Sequence, residues 1–150
     1  MSKYHQGEFI PTNPQKLIGH ARPFARSSWE LTVMTLLDKH PSVIQWASES
    51  ISIPYVNPLT GKRTVYIPDF LVMFKDKNNK QRVELIEVKP SKEAIAENAK
   101  SKKDKSALIL NTAKWSAALM WCKKNGVTFR VLTEKDLYVT KGQQMKKRKK

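Results

Sequence analysis

The stretch from Thr64 to Lys89 constrains this chain more than any other. Two apolar runs, Thr64 to Phe74 and Val83 to Lys89, flank the strongly charged segment Lys75 to Arg82. That pattern predicts a β-hairpin with a connection longer than a tight turn. Residues two apart in a strand share a face, so Asp69 is expected to point with Val65, Ile67, Leu71 and Met73, and Glu87 and Lys89 with Val83 and Leu85. Burial of those apolar neighbours would strip water from the ionisable groups among them, and an uncompensated carboxylate in such a place is costly. A divalent cation gripped between Asp69 and Glu87 would offset the cost. The plainer alternative is a structural ion pair of Glu87 with Lys89 or Arg82.

Hard cations such as Mg²⁺, with Mn²⁺ able to substitute, take oxygen ligands, usually one or two carboxylates completed by water and substrate phosphate. Lys89, one pleat beyond Glu87, would lie within reach of the same phosphate. The chain holds a single Pro-Asp, at Pro68-Asp69, and a single Glu-x-Lys, at Glu87-Val88-Lys89, with 17 residues between Asp69 and Glu87. Both fall in strand patterns, and a proline inside a strand marks an edge or distorted position where a ligand can approach. Through these residues the chain resembles the PD-(D/E)xK nuclease superfamily. The resemblance implies Asp69, Glu87 and Lys89 as catalytic residues. It further implies one or two Mg²⁺ ions held by Asp69 and Glu87, with the Val88 carbonyl and Glu30 as additional candidate ligands.

Composition points the same way. Lys and Arg number 28 against 13 Asp and Glu, a formal net charge of +15, which favours a polyanionic partner, with nucleic acid the default; the resemblance implies double-stranded DNA. No run of 18 apolar residues exists and no basic amphipathic helix is evident, so no membrane partner is expected. The N-terminus lacks the apolar region of a secretory signal. One cysteine, Cys122, excludes an internal disulfide and a cysteine-rich zinc site; its helical context suggests a core position.

Residues 1–26 carry prolines, glycines and scattered aromatics without sustained periodicity and are expected to form an extended arm that packs locally without a regular element. His5 and His20 read as surface groups. A helix is expected from Ser27 or Ser28 to about Lys39, with Trp29, Val33, Leu36 and Leu37 on its apolar stripe and His40-Pro41 as its stop. Ser27-x-x-Glu30 matches a capping box, which accounts for Glu30 structurally; the resemblance offers the ligand role instead, because relatives commonly supply an acid from the first helix. Ile51 to Tyr55 alternates as a strand, and Glu49 before it reads as a solvated loop acid, with a place at the cleft rim as the alternative.

Beyond Pro90, the crowded Lys100, Lys102, Lys103 and Lys105 are expected on a helix or mobile segment beside the DNA backbone. Thr112 to Asn125 predicts a second helix with Trp115, Ala118, Leu119 and Cys122 buried, closed by Gly126; Lys114 reads as a surface lysine, while the resemblance implies that a polar residue on this helix sometimes assists the site. Val127 to Leu132 alternates as a last strand. Lys141 to Lys150, including Lys146, Lys147 and Arg148, is expected to be a disordered basic tail that binds nucleic acid non-specifically.

The element order helix, strand, strand, strand, helix, strand is the αβββαβ core of a restriction-endonuclease-like α/β fold, a mixed sheet flanked by helices over residues 27–140. The segments GEFIPTNPQK, RSSWELTVMTLLDKHP, SESISIPY and YIPDFLV narrow the resemblance to the small head-completion nucleases of T-even-type tailed phages. That implies endonuclease and exonuclease activity on packaged DNA in the host cytoplasm and then at the portal vertex of the virion, with portal or neck proteins as partners. KWSAALMWCKKNG followed by FRVLTE also resembles the transposon end-cleaving branch, and the junction-resolving branch shares the core. A non-catalytic DNA-binding head-closure protein is the alternative from another class.

Overall fold

Both apolar runs end up in one mixed sheet, but the first of them is broken. The computed structural model describes residues 7–19 and 23–136. Its elements in chain order are β1 (Gly7–Glu8), β2 (Phe24–Ala25), α1 (Ser28–Lys39), β3 (Val43–Ser48), β4 (Ile53–Val56), β5 (Arg63–Tyr66), β6 (Phe70–Lys75), β7 (Gln81–Val88), α2 (Ser91–Ala94), α3 (Lys102–Asn125) and β8 (Thr128–Leu132). Strands β3, β6, β7 and β8 form the central sheet in that order. β3–β6 and β6–β7 are antiparallel, and β7–β8 is parallel.

The predicted hairpin is β6–β7, in register from Phe70 opposite Ile86 to Lys75 opposite Gln81. Asp76 organises its turn: Oδ1 accepts from the backbone N–H groups of Asn78 (2.8 Å) and Lys80 (3.0 Å), and Oδ2 accepts from Arg82 Nε (2.6 Å). Arg82 is therefore engaged at the turn, with Asp76 and not with Glu87.

Several expectations need correction. The run Thr64 to Phe74 is two strands, β5 and β6, interrupted at buried Pro68, which has no N–H to continue a ladder. Val65 and Ile67 are accordingly exposed, at 53% and 46%, and do not share a buried face with Asp69. Second, the alternating strand near Ile51 to Tyr55 is not the first strand of the core. It is β4, which pairs only with β5 in a separate two-stranded ribbon, and the core position belongs to β3. Third, the helix expected from Thr112 begins at Lys102, where the Ser101 hydroxyl accepts from the Asp104 N–H at 3.0 Å.

With β3 in place the core order αβββαβ holds, and the sheet is covered on both faces. On one side Val33, Met34 and Leu37 of α1 pack against Trp46, Phe70, Val72, Ile86 and Val88. On the other, Ala118 and Cys122 of α3 pack with Leu85 and with Ile53 and Tyr66 of the ribbon. Cys122 is a core residue, 2% exposed, but Leu36 of α1 and Leu119 of α3, expected on the apolar faces of their helices, are 44% and 56% exposed. Helix α1 starts as expected, with Ser27 capping it, and Gly126 closes α3 in the left-handed conformation at φ 66°.

Residues 7–19 pack against α1 and β3, with Phe9 edge-on to Trp46 at 5.8 Å between ring centroids. They include a short strand, β1, paired with β2, where the sequence predicts no regular element. Asp38, 1% exposed, accepts the backbone N–H groups of Thr12 and Asn13, both at 2.9 Å. His5, His20, Lys146, Lys147 and Arg148 lie outside the described residues.

Replacing Asp38 with Ala leaves two backbone donors without their acceptor and should lower stability by about 2–3 kcal/mol, read from urea denaturation. Asp76 is held at about 2, well below the ordinary carboxylate value, first by Arg82 and then by the Lys80 N–H. A depressed folded value stabilises above the unfolded one, roughly pH 4. Asp76→Asn should therefore be less stable than wild type at pH 7, with the difference vanishing as pH falls through about 2; a difference that persisted in denaturation curves at the lower pH would exclude a charge origin.

Candidate active site

The antiparallel register that sets Phe70 opposite Ile86 sets Asp69, just before β6, opposite Glu87, near the end of β7. Strand alternation directs both carboxylates to the α3 side of the sheet, with Leu71 and Leu85. Asp69 is fixed from both flanks. Its carbonyl accepts the Glu49 N–H at 2.9 Å, and its Oδ2 accepts the Val88 N–H at 2.7 Å. Glu87 is 5% exposed; Lys89 Nζ lies 3.8 Å from its Oε2, while its Oε1 is buried and has no hydrogen-bond partner among the described residues.

Half-buried Asp69 and buried Glu87, facing each other across neighbouring chain segments, disfavour each other's ionisation. Asp69 is pushed well above the ordinary carboxylate value by burial first and the Glu87 charge second, with the Val88 N–H and Lys89 opposing. Glu87 is pushed up by burial, against Lys89 and the Tyr66 and Lys114 side chains. The groups present thus leave negative charge undercompensated, and the unpartnered Oε1 alone carries a desolvation cost of about 1–3 kcal/mol. Hard oxygen donors, under-neutralised and preorganised on strands, fit a divalent cation.

The structure brings Asp69, Glu87 and Lys89 together as expected and sets Glu30 at the rim. Among the described residues no three His, Cys, Asp or Glu side chains group closely enough to hold an ion by themselves. Glu30 meets half of the capping-box reading: its N–H donates to Ser27 Oγ at 3.1 Å, while its Oε1 accepts the N–H of Arg26, one residue before the cap, at 3.0 Å. Its charge nevertheless reaches Asp69, and burial raises its own pKa. Glu49 is not merely a solvated loop acid. It sits at φ 50°, pairs with Arg26, and its N–H anchors Asp69.

The α3 side of the site departs from the preferred sequence reading. Lys114 is half-buried, not a surface lysine, with Nζ 5.7 Å from the centroid of the Tyr66 ring. Its pKa is lowered by burial first and by Lys89 second, while Glu87 and Asp69 act against that. Tyr66 Oη and Trp115 Nε1 are buried beside Glu87. The spacing Lys114, Ala118, Cys122 is i, i+4, i+8 and puts the lysine on the buried stripe, which is the signal the sequence offers. Lys102, Lys103 and Lys105 are exposed on the first turn of α3, with Lys100 exposed just before it. At ~1.5 Å per residue Lys102 lies about 18 Å along the helix from Lys114, so these lysines border the site at a distance. None of the four is in an ion pair among the described residues.

Residues 40–134, from the end of α1 to beyond β8, match the TnsA-like endonuclease N-terminal family, and the chain belongs to it and with it to the PD-(D/E)xK nucleases. The match includes Asp69, Glu87 and Lys89 and starts after Glu30. Over 144 residues the chain is also 34% identical to the head completion nuclease of Enterobacteria phage T4, an alignment taking in 89% of this chain and 93% of that protein.

If repulsion and burial dominate this pair, Asp69→Asn, which keeps an acceptor for the Val88 N–H, should melt about 2–4 °C above wild type in EDTA. Mn²⁺ at a hundredfold excess over its dissociation constant should stabilise wild type by about 2.7 kcal/mol and leave Asp69→Asn unmoved. Calorimetric melting of both proteins with and without Mn²⁺ reads each sign.

Proposed function

We propose that the chain is a metal-dependent deoxyribonuclease that hydrolyses phosphodiester bonds of double-stranded DNA, cutting internally and also acting on ends, during phage head completion and head–tail joining. The observation that carries the chemistry is the facing pair of half-buried Asp69 and buried Glu87, under-neutralised and flanked by the Lys89 ammonium. The phage T4 relative, aligned over 93% of its length, supports the assembly role. Family membership alone would equally suit a transposon-end or junction-cleaving enzyme.

In this reading residues 27–140 are the nuclease domain, between an arm at 1–26 and a basic tail at 141–150. Asp69 and Glu87 hold Mg²⁺, or Mn²⁺ in its place, with the Val88 carbonyl and Glu30 completing the ligand set. When bound, the ion supplies Lewis-acid charge and a water of lowered pKa. Lys89 neutralises charge accumulating on the scissile phosphate and orients the attacking water. Lys100, Lys102, Lys103 and Lys105, with Lys146, Lys147 and Arg148 of the tail, contact backbone phosphates and contribute affinity without sequence preference. The protein acts in the host cytoplasm during assembly and then at the portal vertex of the virion, against portal or neck proteins.

Incubation with supercoiled plasmid should give nicked and linear DNA with Mg²⁺ and none with EDTA. Asp69→Ala and Glu87→Ala should cut at least about 10³-fold more slowly and Lys89→Ala about 10²–10³-fold, with DNA affinity kept. Intact plasmid with both Mg²⁺ and Mn²⁺ would favour a head-closure protein that binds DNA without cutting it.

A further inference from the structure

Three buried polar atoms around the carboxylate pair have no hydrogen-bond partner among the described residues: Glu87 Oε1, Tyr66 Oη and Trp115 Nε1. They come from β7, β5 and α3, whose side chains share one apolar cluster with Ile53, Leu85, Ala118 and Cys122. Tyr66 is 3% exposed, too enclosed for its hydroxyl to meet a substrate. The chemistry of the three is complementary: an indole N–H only donates, a phenol accepts and donates, a carboxylate only accepts. Joined as Trp115 to Tyr66 to Glu87, each meets the need of the next. Their mutual electrostatic influence runs in that order, with Glu87 acting on the phenol as an acceptor and Trp115 acting on it as a donor. Lys114, 5.7 Å from the ring centroid, adds a cation–π contact to the same ring.

We propose that Tyr66, backed by Trp115, is a positioning residue for Glu87. Brought within hydrogen-bonding range, its hydroxyl would donate to Oε1 and fix the carboxylate so that Oε2, the oxygen on the Lys89 side, is the one offered to the cation. This rests on Asp69 and Glu87 being the cation-binding pair. The inserted β4–β5 ribbon thereby gains a purpose, since β5 delivers the phenol to β7 across the face on which α3 lies.

Mn²⁺ titration of the full chain by isothermal calorimetry, without DNA, reads the role apart from activity. Tyr66→Phe removes one oxygen and keeps the ring. Its Mn²⁺ dissociation constant should rise about 10–100-fold, as for other groups that orient a metal ligand, while its melting point in EDTA does not fall. Trp115→Phe should shift affinity in the same direction by less. A Tyr66→Phe constant within about threefold of wild type, against the 10–100-fold loss expected for an orienting group, with Glu87→Gln binding no Mn²⁺, overturns the positioning role and leaves the cation site standing. Wild type that takes up no Mn²⁺ overturns both. Should Tyr66→Phe not fold, an unchanged constant in Trp115→Phe overturns the proposal.

Discussion

Asp69 and Glu87 repel each other across adjacent strands in a region that burial has largely stripped of water, and much of the surrounding structure restrains that repulsion. A carboxylate in low dielectric relaxes in one of three ways: it takes a proton, swings to solvent or gains a positive partner. Swinging out is opposed here because Asp69 is tied at its carbonyl to Glu49 and at its side chain to Val88. Glu87 sits near the end of a strand paired on both edges, with β6 and with β8. Lys89 supplies part of the compensating charge at 3.8 Å. A proton or a cation is what remains, and the two compete for the same oxygens.

Holding Asp69 so firmly depends on interrupting the strand that carries it. Were Thr64 to Phe74 continuous, β5 would extend β6 and Tyr66 would lie in the central sheet. Pro68 removes a donor from the ladder, β5 departs to pair with β4, and the freed Asp69 carbonyl is taken up by the Glu49 N–H. Glu49 itself sits at φ 50°, a conformation uncommon for a non-glycine residue, so the chain turns away from β3 directly after that bond. The local irregularities at Glu49 and Pro68 thus belong to one device, which ends the sheet ladder where the two acids meet.

How much of this is legible in the sequence follows from which signals are local. The β6–β7 hairpin, the limits of α1 and β8, and the Gly126 closure rest on alternation, capping and turn chemistry within a few residues, and those readings agree with the structure. β3 is obscured in the sequence because both of its faces are covered: Val43, Trp46, Ala47 and Ser48 are buried together, so the period of two is lost. The ribbon is obscured because Thr64 to Phe74 is largely apolar on both sides of Pro68-Asp69, and composition alone does not tell a distorted strand from a broken one. The first turns of α3 are rich in lysine and weakly amphipathic, so their helicity depends on the Ser101 cap more than on any apolar stripe. Asp69, Glu87 and Lys89 are visible because strand alternation carries them; Glu49, Tyr66 and Lys114 join them only through the tertiary fold.

The lysines at the start of α3 bear on partner chemistry through the same electrostatics. Lys102, Lys103 and Lys105 stand at the positive end of the helix dipole, where each cation is disfavoured by about 0.3–1 kcal/mol. Asp104 offsets part of that within the first turn. The isolated chain gains nothing for its own stability from such a placement, nor from a formal net charge of +15. Both become favourable beside a polyanion, whose phosphates accept from helix N-terminal amides and lysine ammonium groups together while condensed counterions are released. Under the proposed function, charge that opposes folding is charge held ready for DNA, and the carboxylate pair obeys the same rule with the signs reversed: each side of the site is left unneutralised by the protein where substrate or cation would complete it.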